Sequence, residues 1–129
     1  MTENEIARII VNTAYHIHVK LGPGLLESIY EEIMCFELKS EGLLVERQKA
    51  LPVFWKGLKM DMGYRADLFI ENKIIIELKS VEKIAPVHSK QLLTYLRITD
   101  TRLGLLINFN EVLIKNGITR IVNNLPENK

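Results

Sequence analysis

The sequence predicts an α/β fold of one domain over residues 1–129, in which helices flank a mixed central sheet. Apolar residues recur at helical spacing as far as Gly42, and from Leu44 onward short apolar runs between turn residues indicate strands. A third helical pattern, His88–Ile98, lies between two of those runs. With 129 residues, 47% of them hydrophobic, the chain is long enough to bury a single core.

Two helices come first. Thr2–Glu5 has the spacing of a capping box, and the apolar pattern after it predicts a helix that ends at about Lys20. Gly22–Gly24 breaks this helix, and a second one is predicted from near Leu25 to Gly42. The residues of the second helix that we expect to face inward are Ile29, Ile33, Met34 and Leu38.

Strands make up most of the remainder. The predicted strands are Val45–Leu51, Val53–Trp55, Leu58–Met62, the two halves of a hairpin within Tyr64–Lys79, Leu103–Phe109 and Ile118–Val122. Asn116-Gly117, before the last strand, is typical of a hairpin turn. We expect the tail, residues 124–129, to be frayed.

The hairpin within Tyr64–Lys79 carries the most informative residues of the chain. Asp67, Glu77 and Lys79 interrupt runs that otherwise read as buried strand. Burying such groups costs several kcal/mol unless each finds a partner, so a charged partner is expected at this place.

The numbering of the hairpin predicts how these groups are arranged. A three-residue loop centred on Asn72 places Asp67 opposite Glu77, where the two Cβ atoms would be about 4.5 to 5.5 Å apart. Because side chains alternate along a strand, Lys79 falls on the face of Glu77. The three polar groups are therefore expected to converge.

Two opposed carboxylates need a raised pKa, an amine or a cation to relieve their repulsion. Oxygen ligands with open positions suit Mg²⁺, which one or two carboxylates usually hold. A cross-strand salt bridge to Lys79 is the alternative. The runs Leu68–Ile70 and Ile74–Ile76 are apolar on both faces, as in a covered central strand, and this favours a site.

Four motifs occur in order along the chain: Gly24–Tyr30, Asp67 with Glu77-Leu78-Lys79, Gln91–Tyr95 and Gly104–Phe109. The second resembles the signature of the PD-(D/E)XK nuclease superfamily, and the first resembles that of its GxxExxY branch. The likeness extends roughly from Ile6 to Val122. It implies a restriction-endonuclease-like fold. Ala66 stands where the pattern often has proline, a departure that removes no reacting group.

The resemblance implies a nuclease that hydrolyses nucleic acid with Mg²⁺ or Mn²⁺. Asp67, Glu77 and the backbone carbonyl of Leu78 would hold the metal, with Glu27 as an additional candidate. Lys79 would orient the attacking water or stabilise the charge that builds on phosphorus. DNA is the expected polymer, while RNA and the choice between internal and terminal cleavage stay open.

Glu27 has two interpretations. With Gly24 as N-cap it lies at N3, where a glutamate can bond back to the cap residue. The resemblance instead implies a role in the metal cluster, because a glutamate of the first helix often reaches it. We expect Tyr30 to pack beneath Glu27.

Three polar residues share one face of the third predicted helix: His88, Gln91 and Tyr95. A polar stripe of this kind can simply be the solvent side of a helix. The resemblance implies that Gln91 and Tyr95 lie close to the site and the substrate backbone, and that His88 contacts a phosphate. Leu92, Leu93 and Leu96 are expected to pack inward.

Charge and composition add weaker indications. The net charge is +1, but residues 1–46 carry eight acidic and three basic side chains, whereas residues 47–129 carry eight acidic and fourteen basic ones. The basic half holds the predicted site, which suits a phosphate-rich substrate, although dispersed solvating charge explains it equally well. With neither a signal peptide nor a long apolar segment, the sequence predicts a cytoplasmic protein without membrane contact.

Three other features of the sequence do not indicate a specific function. Cys35 is expected to be a packed thiol. The apolar stripe of the first helix could serve a homodimer as readily as a monomer core. Phe54 and Trp55 could stack on bases, but an aromatic pair on a strand more often covers a core, so no role is assigned.

Two further functions compete with a nuclease. One is a catalytically inactive nuclease-fold module that binds nucleic acid or a partner protein, which the small net charge would suit. The other is metal-free acid/base chemistry by Asp67 and Glu77, as in glycosidases. The second is disfavoured on the expectation that Lys79 keeps both carboxylates ionised.

Overall fold

The computed structural model describes residues 1–126, apart from the side chain of Met62. Its elements in chain order are α1 (Glu3–Leu21), α2 (Glu27–Ser40), β1 (Val45–Trp55), β2 (Leu58–Ile70), β3 (Ile74–Lys79), α3 (Pro86–Thr99), β4 (Leu103–Asn108), a 3₁₀ turn (Ile114–Gly117) and β5 (Ile118–Val122). The predicted capping box at Thr2 and Glu5 is present at the start of α1.

Five strands form one mixed sheet in the order β1-β2-β3-β4-β5. β3 and β4 are parallel, and the other neighbouring pairs are antiparallel. A parallel pair needs a crossover connection, and α3 supplies it here. β3 is therefore the central strand, and its apolar residues Ile74–Ile76 and Leu78 are buried, as the apolar run predicts.

Helices cover both faces of the sheet. One core cluster joins α1 and α2 to the sheet and includes Ile10, Met34, Leu68 and Ile76. A second cluster joins α3 to the opposite face and includes Leu51, Tyr64, Ala66, Ile75, Leu92 and Leu96. The predicted α/β fold class, with a mixed central sheet flanked by helices, is confirmed.

The second helix begins later than the sequence indicates. The carbonyl of Leu26 accepts hydrogen bonds from the amides of Ile29 and Tyr30, so Leu26 is the N-cap and Glu27 is the first helical residue. The prediction of Gly24 as N-cap with Glu27 at N3 is wrong. Ile29 is 40% exposed, which also contradicts its predicted inward orientation.

The buried stripe of α2 runs instead through Tyr30, Met34 and Leu38. Tyr30 stacks on Phe109 with 4.4 Å between ring centroids, and its hydroxyl donates to the carbonyl of Gly22 at 2.6 Å. The expectation of a packed Tyr30 is confirmed. Cys35 is a buried free thiol, as predicted.

The first two strands are longer than predicted. β1 and β2 run without the predicted interruptions because an irregularity of register between Leu51 and Val53 absorbs extra residues of β2. Gly63, at φ +140°, lies in this irregularity, and a side chain added there would come within 3.2 Å of Val53. The two strands therefore form one long hairpin. Its end, residues 54–60, is exposed throughout and is called the arm below.

Within residues 1–126, no helix is long and apolar enough to cross a membrane. The predicted frayed tail lies outside the described residues from position 127 onward.

Candidate functional site

The candidate site lies where β2 and β3 part. The two strands pair from Ile70–Ile74 to Leu68–Ile76, in the register that the three-residue loop predicts. If the regular hydrogen-bond pattern continued, the amide of Leu78 would bond to the backbone of β2. That amide instead donates to Oδ2 of Asp67 at 2.9 Å. The predicted direct pairing of Asp67 with Glu77 is thus absent from the ladder, because the Asp67 carboxylate occupies the position of a backbone acceptor.

At the same level, the side chains of β2 change the face of the sheet on which they pack. Leu68 packs with the helices α1 and α2, whereas Ala66 packs with α3, although regular alternation would put both on one face. Gln48, the residue of β1 at this level, has a positive φ of 51°. Its side-chain amide reaches Oδ1 of Asp67 at 3.3 Å. Asp67 is therefore held between its neighbouring strands.

Glu77 lies beside Asp67 and is half-buried. The hydroxyl of Tyr64 donates to its Oε1, and Tyr64 stacks on Tyr95 with ring centroids 3.9 Å apart. Burial, followed by the charge of Asp67, raises the pKa of Glu77 to about 8. The charge of Lys79 acts in the opposite direction but is a smaller cause. The expectation that Lys79 keeps both carboxylates ionised is therefore wrong for Glu77.

Stability should depend on pH through this group. The folded state raises the pKa of Glu77 from 4.5 to about 8, so it holds the proton more tightly than the unfolded chain does. This contribution is complete below the unfolded pKa and is lost as the pH rises through 8. We expect metal-free protein to lose more stability between about pH 5 and 8.5 than its Glu77→Gln variant, as measured by urea unfolding. Equal pH slopes would contradict the assignment.

The residues predicted to contact substrate meet the end of β3 in one small cleft. Glu77, Lys79, His88, Gln91 and Tyr95 line a cavity of about 30 Å³. His88 also accepts a hydrogen bond from the amide of Ala85 through Nδ1, which fixes the start of α3. A larger cavity of about 480 Å³ lies between α1 and α2, and none of the predicted site residues lines it.

Glu27 lies apart from this cleft. It is exposed at the start of α2 and lines a different groove with Ser80 and Asn110. Within residues 1–126 its carboxylate makes no hydrogen bond or ion pair. The structure therefore does not join Glu27 to Asp67.

Another glutamate of α2 approaches Asp67 instead. Glu31 is 7% exposed, and its Oε1 accepts from the side-chain amide of Gln48 at 2.7 Å. Its Oε2 accepts from Nε of Arg47 at 2.6 Å. The same Gln48 nitrogen contacts Asp67, so one amide links two carboxylates.

Sequence reasoning missed these supporting residues and Tyr64. One signal was available: Glu31 precedes Met34, Cys35 and Leu38 by three, four and seven positions, which puts a charge on an apolar helix face. A glutamate in that position needs a partner on the element packed against it.

The oxygens at the parting of β2 and β3 fit a hard divalent cation. Asp67 and Glu77 supply carboxylates, and the carbonyl of Leu78 faces β2 because its amide does. Residues 1–126 contain no group of three or more histidine, cysteine, aspartate or glutamate side chains arranged for a metal. Two carboxylates and a carbonyl, completed by water, match the way proteins hold Mg²⁺.

Residues 4–121 match the family model described as the PD-(D/E)XK nuclease superfamily. No curated protein and no solved structure matches the chain.

Proposed function

Because the chain belongs to the PD-(D/E)XK nuclease superfamily, we propose that it is a divalent-metal-dependent nuclease that hydrolyses phosphodiester bonds of nucleic acid. One observation carries the proposal. The Asp67 carboxylate interrupts the ladder between β2 and β3 and bonds to the amide of Leu78, beside the half-buried Glu77. An ordinary hairpin has no use for this arrangement.

Asp67, Glu77 and the Leu78 carbonyl would hold Mg²⁺ or Mn²⁺. The bound ion would supply a water of lowered pKa and a charge against the scissile phosphate. Glu77 must give up its proton to serve as a ligand, because its pKa of about 8 keeps it protonated at neutral pH. Metal binding should therefore strengthen as the pH rises towards 8.

Lys79 would act on the reacting phosphate. It lines the same cleft as Glu77, where an ammonium can stabilise charge on phosphorus or orient the attacking water. Gln91 and Tyr95 line the opposite wall and would position the substrate backbone, with His88 as a phosphate contact. Tyr95 stacks on Tyr64, and this stack fixes the Tyr64 ring next to Glu77.

The proposal is tested by turnover. Purified protein is incubated with single-stranded DNA, duplex DNA and RNA, each with Mg²⁺, with Mn²⁺ and with EDTA. We expect cleavage of at least one polymer that requires the metal and that stops with EDTA. Absence of metal-dependent cleavage on all three polymers would contradict the proposal.

A catalytically inactive nuclease-fold module is the second candidate. Protein donors already satisfy the carboxylates: the Leu78 amide and Gln48 bond to Asp67, and Tyr64 bonds to Glu77. Such a closed network is stable without an ion. Nucleic-acid binding that persists without turnover would favour this candidate.

Glu31 should affect the affinity for the metal without contacting it. We expect Glu31→Gln to weaken Mn²⁺ binding about tenfold, because outer partners of metal ligands typically matter by about 10- to 100-fold. The change loosens Gln48, which contacts Asp67. Calorimetric titration measures it, with Glu37→Gln on the exposed side of α2 as the matched control. Equal affinities of the two variants would show that the link through Gln48 is unimportant.

Several finer assignments belong to the same proposal. They are membership of the GxxExxY branch, DNA as the polymer, a homodimer and a cytoplasmic location. A metal-site role for Glu27 is not among them, because Glu27 is exposed and lines a different groove. The exposed position of Glu27 makes Asp67→Asn the stronger test of the metal site.

A further inference from the structure

The tip of the β1–β2 hairpin exposes large apolar side chains. Trp55 is 62% exposed and Leu58, directly opposite it, is 57% exposed. Phe54 and Met60 are exposed at 42% and 38%. Of the two roles that the sequence left open for this aromatic pair, covering a core does not fit these exposures. A surface of this kind usually marks a binding site.

The Trp55 ring continues the face of the sheet that carries the cleft. Leu51 and Val53 pack with Tyr64 in the cluster under α3, and Trp55 follows Val53 by two residues on the same strand. Alternation therefore places Trp55 on the side of Tyr64, whose hydroxyl bonds to Glu77. The apolar face of the arm and the candidate site share one side of the molecule.

One basic residue accompanies the exposed ring: Nζ of Lys56 lies 5.3 Å from the centre of the Trp55 ring. Lys59 lies opposite Phe54 and Arg65 lies opposite Ala50, so alternation puts both on the other face of the sheet from Trp55. The ion pair of Lys59 with Asp61 is long, at 4.0 Å, and both side chains are largely exposed. Lys56 is therefore the cation that a phosphate beside the Trp55 ring would meet.

The arm lies within reach of a strand bound at the site. Trp55 is seven residues from Gln48, which contacts Asp67, so about 23 Å of extended chain separates them. At about 3.4 Å per stacked nucleotide, this distance corresponds to about seven nucleotides. Footprints of about 4 to 16 nucleotides are common for single-strand binding surfaces.

We propose that the hairpin tip binds single-stranded nucleic acid, with a base stacked on Trp55 and a phosphate near Lys56. A single strand fits because its base faces are free, whereas a duplex keeps them stacked on one another. The inference deepens the proposed function by assigning it a substrate class, and it rests on that function.

Trp55 is the only tryptophan of the chain, so its fluorescence reports directly on the tip. The protein is titrated into a fluorescein-labelled 12-nucleotide oligothymidylate with EDTA present, and the signal of the label gives the affinity. In a second titration the unlabelled oligonucleotide is added to the protein, and the tryptophan emission is followed. Stacking should quench the emission, and Trp55→Ala should weaken binding by about 5- to 150-fold. Trp55→Phe should retain most of the affinity, and Phe36→Ala, at a 68% exposed aromatic of α2, should bind like wild type.

The outcomes separate this inference from the nuclease itself. Unchanged emission at saturation, or equal affinity of Trp55→Ala and Phe36→Ala, overturns the stacking site even if the protein cleaves nucleic acid. Quenching and weakened binding without any cleavage support the stacking site and count against the nuclease. If Trp55→Ala converts a dimer to a monomer in sedimentation and leaves oligonucleotide binding unchanged, the tip serves a second copy and the inference is wrong.

Discussion

Replacing Asp67 by asparagine is expected to abolish metal-dependent cleavage, with a fall in rate of at least about 10³-fold. The variant loses one of two carboxylates for the metal, whose charge stabilisation of the transition state is worth several kcal/mol. The asparagine oxygen can still accept from the amide of Leu78, so the parting of the strands is kept. Cleavage assays with Mn²⁺ and calorimetric Mn²⁺ titration measure the two losses.

Thermal unfolding without metal separates this effect from misfolding. The charge of Asp67 contributes to the raised pKa of Glu77, so the two carboxylates repel each other only above about pH 8, where Glu77 is ionised. Above that pH the metal-free variant should therefore unfold at a temperature equal to or above that of wild type. Asp61→Asn, at an exposed position of the same strand, is the matched control. If Mn²⁺ shifts the unfolding of Asp67→Asn and wild type alike, the metal assignment is wrong.

Replacing Lys79 by alanine is expected to lower the cleavage rate by about 10²- to 10³-fold while metal binding persists. The ammonium lines the cleft with Glu77 but makes no ion pair within residues 1–126, so it is available to substrate. Removing one such electrostatic contact to the transition state has an effect of this size in other enzymes. Single-turnover cleavage rates and Mn²⁺ titration separate the two quantities.

The pH of the Lys79→Ala experiment must be chosen with the pKa of Glu77 in mind. Lys79 lowers the pKa of Glu77, so Lys79→Ala raises that pKa further and weakens metal binding near neutrality. Saturating Mn²⁺ at about pH 8.5 removes this indirect effect. Lys83→Ala, an exposed lysine beyond β3, is the control. Cleavage that continues at the wild-type rate in Lys79→Ala would indicate a contaminating nuclease.

The local features of this fold were predictable from sequence. The capping box at Thr2–Glu5, the Ile70–Ile74 register and β5 at Ile118–Val122 depend on neighbours along the chain. The start of α2 was misplaced because the Leu26 carbonyl, rather than a capping side chain, begins the helix. The length of β1 and β2 was also missed, since a bulge preserves pairing where the apolar pattern breaks.

The sequence by itself determined the fold class, the central strand Ile74–Lys79 and the grouping of Glu77 and Lys79 on one face, because these follow from apolar patterns and alternation. Only the tertiary structure decided which partners surround them. The approach of Glu31 through Gln48, the bond of Tyr64 to Glu77 and the exposure of Trp55 join residues distant in sequence. Such contacts depend on how α2, α3 and the sheet pack, and burial between those layers raises the pKa of Glu77 despite the nearby lysine.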